Sequence, residues 1–272
     1  MGGKTTIVCS VGDPAGSNIR ERLLERFKFK ECEPDYDRNT VYSLESDTIL
    51  VSSTKRIVFI DDLDEFFKSD RTVFISGHYA ESGIPSLTGH FTGNFGRADF
   101  GGNSGEIARF SPSLLKTYMR KLRELTRDLA SVYTVTLEAT HHGPTSLKSP
   151  VLFVELGSAE VQWRDPTAAG RIAEALMFSL QSSSKFEKCA VCIGGTHYSE
   201  KFNNSLFDSE FALGPIIPKY ALEFLDSKIV AQILEKSDQP VKYALIDKKG
   251  LGSHKEAVHR VLENFDLEKI YV

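Results

Sequence analysis

Cysteine, tryptophan and methionine are all scarce in this chain: its 272 residues include four, one and three of them. Four cysteines do not build a disulfide framework at this length. Cys189 and Cys192 form a CxxC, but it lies within the apolar strand-like run CAVCIGG rather than in a turn opening a helix. They read as core residues of a protein in a reducing compartment. No apolar stretch approaches the roughly 18 residues that a membrane span requires. The opening MGGKTTIVCSVGDPAG lacks the charged-then-apolar layout of a secretory signal. A cytoplasmic location and no membrane partner are therefore expected. Gly2 and Thr6 fit a loose myristoylation pattern, but Thr6 is expected to begin a core strand, which sets that reading aside. The GKT at residues 3–5 is not a phosphate loop, because no glycine stands five residues before it. Excess charge is also missing: 33 Lys and Arg against 37 Asp and Glu give a net −4. That argues against a nucleic-acid coat protein, and DNA is not expected as a partner; a local basic stripe remains compatible with it.

What the chain does have is the composition of an ordinary folded protein, 41% hydrophobic and 26% charged. Strand and helix patterns alternate. Residues 5–11 read as a buried strand, and 18–27 as a helix with Ser17 as its N-cap. DTILVSS, RIVFIDD and TVFISG read as short strands, the first two as a hairpin. Residues 89–105 hold six glycines and read as a long loop insertion. A helix is expected from 113 to about 130, strands at 131–140 and 151–158, and a helix opened by Asp165-Pro166-Thr167. After CAVCIGG come a mostly helical 218–236, the strand KYALID, and a last helix opened by a capping box, Ser253 to Glu256. The whole predicts a single α/β domain over residues 1–272, with a mixed, mostly parallel central sheet flanked by helices.

Five of the seven histidines fall at expected strand ends or in loops: His78, His90, His141, His142 and His197. Ligands bind at the C-terminal edge of such sheets, so these histidines are candidates for one site. Glu138, His141 and His142 flank one strand end and Glu155 lies in the next strand, a set able to do acid–base work or hold a metal. No His-Glu-x-x-His or paired-cysteine zinc spacing is present, so metal binding rests on composition. The alternative is that one of the adjacent histidines is packed and the other solvated. GGTHYSE at 194–200 offers close backbone approach at Gly194 and Gly195 with Thr196, His197 and Tyr198 at its tip, or simply a turn needing positive φ. The glycine loop, with His90, Asn94, Arg97 and Asp99, is suited to cradling an anion or closing over substrate, or is a plain surface loop. Lys116, Arg120, Arg123 and Arg127 are spaced to form one stripe opposite the apolar face of their helix. They would track a phosphate backbone or only solvate the helix, and Lys248 and Lys249 form a second basic cluster.

The ordered strings GDPAGSNI, HFTGNFGRADFGG, EATHHGP, VELGSAEVQW and GGTHY together resemble the archaeal and plant type of D-aminoacyl-tRNA deacylase, from first strand to last helix. The resemblance implies a monomer similar to phosphorylase/hydrolase-like and peptidyl-tRNA hydrolase-like folds, hydrolysing the ester of D-aminoacyl-tRNA. It also implies zinc. His141, His142 and His197 carry the active-site expectation, with His141, His142, Glu155 and His197 as the metal set. His78, His90, Asn94, Gly143, Gly194, Gly195, Thr196, Tyr198, Glu138 and Glu155 are expected to line the substrate site, either glutamate holding the α-ammonium. No nucleophile elbow G-x-S-x-G is present, which favours attack by water. A zinc-dependent hydrolase of peptides or acyl amino acids, and a non-catalytic tRNA- or nucleotide-binding protein, are the competing readings.

Overall fold

The first strand, β1 (Thr5–Ser10), is buried along its whole length, as its unbroken apolar pattern demands. The computed structural model describes residues 3–45 and 47–272. Gly2 of the myristoylation pattern lies outside them, and Thr6 is buried in β1. Helix α1 (Pro14–Arg26) begins four residues earlier than expected, and its cap is Asp13 rather than Ser17. Asp13 accepts from the Ala15 and Gly16 N–H groups, and Pro14 sits where no N–H is needed. The other Asp13 oxygen accepts from Gly77 N at 2.8 Å, tying the start of α1 to the end of a neighbouring strand.

A meander of β2 (Lys30–Tyr36), β3 (Asn39–Leu44) and β4 (Thr48–Ser53) follows. The expected hairpin with RIVFIDD is absent. Residues 57–59 form a 3-10 turn that drops Ile57 and Ile60 into the core, and β4 pairs with β3 and β1. Strand β5 (Arg71–Tyr79) runs past TVFISG and takes in His78. Gly89 and His90, read as loop, belong to β6 (Ser86–His90), and residues 91–95 are buried. The glycine-rich segment continues through a two-residue ribbon, β7 (Gly93–Asn94) with β8 (Glu106–Ile107). Ser111 caps α2 (Pro112–Leu125), which ends short of the expected 130 and passes into a 3-10 turn. Strands β9 (Thr134–Leu137) and β10 (Val151–Ser158) complete an eight-stranded sheet, order β2-β3-β4-β1-β5-β10-β6-β9. Its centre, β4-β1-β5-β10, is parallel.

Beyond α3 (Glu160–Trp163) and α4 (Pro166–Gln181), which Asp165 caps as expected, the chain builds a second sheet. Strand β11 (Cys189–Ile193), helix α5 (Glu200–Asp208), β12 (Ala212–Ile217), α6 (Ser227–Lys236), β13 (Val241–Ile246), α7 (Lys255–Leu262) and β14 (Glu268–Tyr271) give the parallel order β12-β11-β13-β14. The capping box does not form: residues 252–254 make a 3-10 turn and α7 starts after His254 with no side-chain cap. Cys189 and Cys192 are free and buried in β11. Among the described residues no helix is long and apolar enough to cross a membrane.

Alternation along β5 and β10 positions the chemistry. Val73, Ile75, Leu152, Val154 and Leu156 face the helices, in an apolar cluster that continues through β11 and β12 of the second sheet. The opposite face carries Phe74 and Phe153, stacked with ring centroids 4.8 Å apart. The next positions on that face are Ser76, His78 and Glu155, with Glu155 beside Ser76 and Gly157 beside His78 in the register.

Candidate active site

The sequence places Glu138 just past β9, and the fold turns it into the middle of four histidines. Its side chain is about 1% exposed, with Oε1 3.2 Å from His78 Nδ1 and Oε2 accepting from His197 Nε2 at 3.2 Å. His141 Nε2 lies 3.9 Å from the same Oε2. Glu155 accepts from Ser76 Oγ at 2.6 Å and lies 3.6 Å from His78 Nδ1 and 3.8 Å from His90 Nε2. The histidines therefore do converge, and two carboxylates bind them together.

Burial raises the Glu138 carboxyl, but hydrogen bonds from His197 and His78 outweigh it and hold the group well below its ordinary range. Glu155 is opposed by burial and by Glu138, yet His78 and His90 pull it down to about 2. Burial alone pushes His78 down, and the two glutamates overcome this and lift it to about 10. His78 is thus a resident cation, donating from Nδ1 towards the carboxylates and from Nε2 to the Tyr198 hydroxyl at 2.9 Å, and against burial Glu155 and Glu138 raise His90 as well. Burial together with the nearby His90 pushes His141 well below its usual value and His142 to about 4, so both stay neutral.

Three imidazoles have Nδ1 against backbone carbonyls: His90 on Phe91 O (3.1 Å), His141 on Ala139 O (2.8 Å) and His142 on Gly143 O (2.6 Å). A carbonyl accepts only, so Nδ1 carries the proton in each, and on neutral His141 and His142 Nε2 keeps its lone pair. On His90 burial is outweighed by Glu155 and Glu138, which raise the imidazole, so its Nε2 would give up a proton on binding a cation. One ligand atom from each of the three lies within 4.8 Å of the others, and His90 Nε2 is buried with no hydrogen-bond partner. This is a donor set that fits a metal ion, with the carbonyls as its orienting outer layer. Two further triplets, Glu138–His141–His197 and His78–Glu138–Glu155, have the same spacing. The ligand set read from sequence is divided among these groups: His141 and His142 join His90, while Glu155 joins His78 and Glu138.

Local backbone explains the EATHHGP string. His142 adopts φ of +43°, a left-handed conformation uncommon for a side-chain-bearing residue, and its carbonyl accepts from Gly93 N at 2.8 Å. Gly143 packs on the glycine loop so closely that a Cβ would lie 2.3 Å from Gly102 N. Gly143 is therefore a packing residue, and Gly194 and Gly195, at φ of +92° and +83°, are turn residues. Asn94 pins the loop by donating to Gly101 O at 2.8 Å. Thr196 is exposed and donates to Tyr198 O.

The cluster opens into a cavity of ≈ 1150 Å³. Sequence reasoning missed several of its walls. Tyr220 reaches His197 Nδ1 at 2.9 Å, and Arg56 and Phe224 line the outer part beside Arg97 and Phe100 of the glycine loop, which was expected to line the site. Asp13 also lines it, and the Asp-Pro pair in GDPAG was the legible sign of its capping role.

The basic residues lie elsewhere. Lys116 is not on a solvated stripe: it is fully buried, donating to Ser209 O and Phe211 O at 2.7 Å each. Arg120, Arg123 and Arg127 are exposed, with Arg123 3.3 Å from Asp208 and over the Phe207 ring. Lys248 and Lys249 are exposed just past β13. None of the six lines the cavity.

The D-aminoacyl-tRNA deacylase family model matches residues 65–270. The chain belongs to this family. It is 39% identical to the D-aminoacyl-tRNA deacylase of Cenarchaeum symbiosum, over 97% of this chain and 98% of that one. With the D-aminoacyl-tRNA deacylase of Pyrococcus furiosus it shares 37% identity over 93% of each. The fold matches the crystal structure of a conserved protein of unknown function with a TM-score of 0.91 at 30% identity, covering 100% of this chain and 96% of that one. Within the deacylase family match lie all five clustered histidines and both glutamates.

Proposed function

We propose that this protein hydrolyses the ester of D-aminoacyl-tRNA to free D-amino acid and tRNA, a proofreading step in translation. The observation that carries the mechanism is the chain Glu138–His197–Tyr220 on the cavity wall. Ionised Glu138 accepts from His197 Nε2–H, which leaves Nδ1 as the basic nitrogen, accepting from the Tyr220 hydroxyl. Once the Tyr220 hydroxyl turns its hydrogen away from Nδ1, a water beside that nitrogen transfers its proton to Nδ1 as it attacks the ester carbonyl, Glu138 stabilising the imidazolium. Protonated Nδ1 then donates to Tyr220 Oη, so that the Tyr220 O–H is free to turn to the developing oxyanion. Return of the proton from His197 to the departing ribose oxygen completes hydrolysis without a covalent intermediate.

His90, His141 and His142 are the residues that would hold zinc, which when bound supplies Lewis-acid polarisation of water or carbonyl. Their Nδ1 protons, fixed by backbone carbonyls, and the lone pairs left on neutral His141 and His142 support this reading, with His90 Nε2 giving up its proton on binding the ion. Glu138 and Glu155 are the carboxylates proposed to attract the substrate's α-ammonium, in competition with the His78 and His90 imidazoles that face them. Arg120, Arg127, Lys248 and Lys249 are proposed to meet phosphates of the tRNA body. We read residues 1–272 as one deacylase domain, working as a monomer in the cytoplasm; the apolar cluster shared by both sheets supports the single domain.

Incubation with tRNA charged with D-tyrosine tests the function: ester loss well above buffer is expected, with L-tyrosyl-tRNA spared. No loss from the D-ester rejects the reading, and equal loss from both makes the protein an unselective esterase.

A further inference from the structure

The cavity is larger than an aminoacyl ester needs, exceeding the roughly 300–1,000 Å³ of pockets that enclose drug-sized ligands. Its inner wall is the histidine cluster, and its outer wall is of a different character. Phe100 is 61% exposed and Phe224 45% exposed, although both line the cavity. The Phe224 ring lies against Gly96, where a Cβ would come 2.9 Å from its Cε2. Phe100 stands next to Gly101, which packs on the Val58 carbonyl with no space for a side chain.

Two guanidinium groups share this wall. Arg56 is exposed and lies 5.6 Å over the Phe59 ring; Arg97 is 3.2 Å from Asp99, with 88% and 62% of the two side chains exposed. An ion pair so open to water is worth little and yields readily to a phosphate. Flat apolar rings beside exposed arginines are how proteins hold unpaired nucleotides: every base has a face to stack, and each phosphate between bases takes a cation. A bare amino-acid ester would leave both features unused.

Resting on the hydrolase reading above, we propose that this outer wall is a subsite for the unpaired 3′-terminal nucleotides of the RNA, with bases on Phe100 and Phe224 and phosphates on Arg56 and Arg97. The ester joining the last ribose to the amino acid is then delivered to the inner wall. The nucleotide is read by stacking, so the subsite is indifferent to base identity but requires a single strand.

Three substrates carrying D-tyrosine test this: the tRNA ester, the ester of adenosine, and the methyl ester. The wild-type protein is expected to prefer the first two over the methyl ester. If none is hydrolysed, the hydrolase reading falls and the subsite with it. If all three have equal kcat/KM, the subsite alone is overturned. Phe100→Ala should lower the preference for the tRNA ester over the methyl ester by about 5- to 150-fold, through KM, and Phe100→Tyr should restore it. Equal losses on both esters, or no loss on either, would reject the stacking role. Arg56→Gln and Arg97→Gln should each flatten the dependence of log affinity on log salt by about 0.7. An unchanged slope in both rejects the phosphate contacts.

Discussion

Gly157 lies across from His78 at a separation that only a residue without a side chain permits: a Cβ there would sit 2.6 Å from the His78 Cβ and 2.7 Å from its carbonyl oxygen. The close approach sets His78 against Glu138 and Glu155. Gly157→Ala should therefore force β5 and β10 apart locally, at a cost in stability, and displace the imidazole, lowering kcat by about 10- to 100-fold, since errors of about 1 Å at a reacting centre have that effect. Steady-state kinetics beside a far-ultraviolet spectrum check it; wild-type kcat would remove His78 from the working site.

Glu138→Gln replaces the buried acceptor of the His197 proton with a neutral amide. The expected loss in single-turnover rate on D-aminoacyl-tRNA is about 10²- to 10⁴-fold, with a smaller loss for Tyr220→Phe. A rate within threefold of wild type for the glutamine variant would place proton transfer elsewhere.

Zinc content is expected to follow the three carbonyl-oriented imidazoles. Protein purified without added metal and measured by plasma mass spectrometry should hold zinc, and His90→Ala or His142→Ala should lose most of it. Tyr198→Phe, which removes a hydroxyl hydrogen-bonded to His78, should retain it. Full activity in a chelated, metal-free sample would eliminate the ion from the reaction.

Lys116 connects pH to stability. Burial, then the nearby Arg120, lowers its ammonium to about 8 from an ordinary 10.5. Below pH 8 both folded and unfolded chains carry the charge and the burial penalty is fully present. Between 8 and 10.5 the unfolded chain binds more protons, so stability rises with pH, by about 3 kcal/mol if the whole shift is expressed. Urea denaturation at pH 7.5 and 10 should show this rise in wild type and not in Lys116→Met. Parallel curves for the two proteins would mean that Lys116 keeps an ordinary affinity for its proton.

The strands were legible where burial is continuous: TTIVCS, VLFVELGS and CAVCI have no polar alternation and could only be central. RIVFIDD misled because a 3-10 turn can bury Ile57 and Ile60 three residues apart as well as a strand can bury alternate ones. The charged stripe on α2 failed at Lys116 for a related reason. Helical spacing gives a direction around the axis, and only the tertiary fold says that the chain at 209–211 crosses there to accept from the ammonium. The histidine set was visible as residue types near strand ends. The division of labour within it was not, because it depends on which ring nitrogen meets a carbonyl and which meets a carboxylate. Tyr220, Arg56 and Phe224 carried no local signal, as each reaches the cavity from a segment with unremarkable composition.

Glu138 accepts from His197, which follows a strand of the second sheet, while His78 and Glu155 stand on strands of the first. The proposed reaction centre is thus a seam, and it is complete only while the two sheets keep their mutual position. A local opening of the C-terminal sheet would withdraw His197 and Tyr220 and silence the protein while the eight-stranded sheet remained folded. Hydrolytic activity would then act as an early reporter of partial unfolding, lost at lower denaturant concentration than the bulk of the secondary structure.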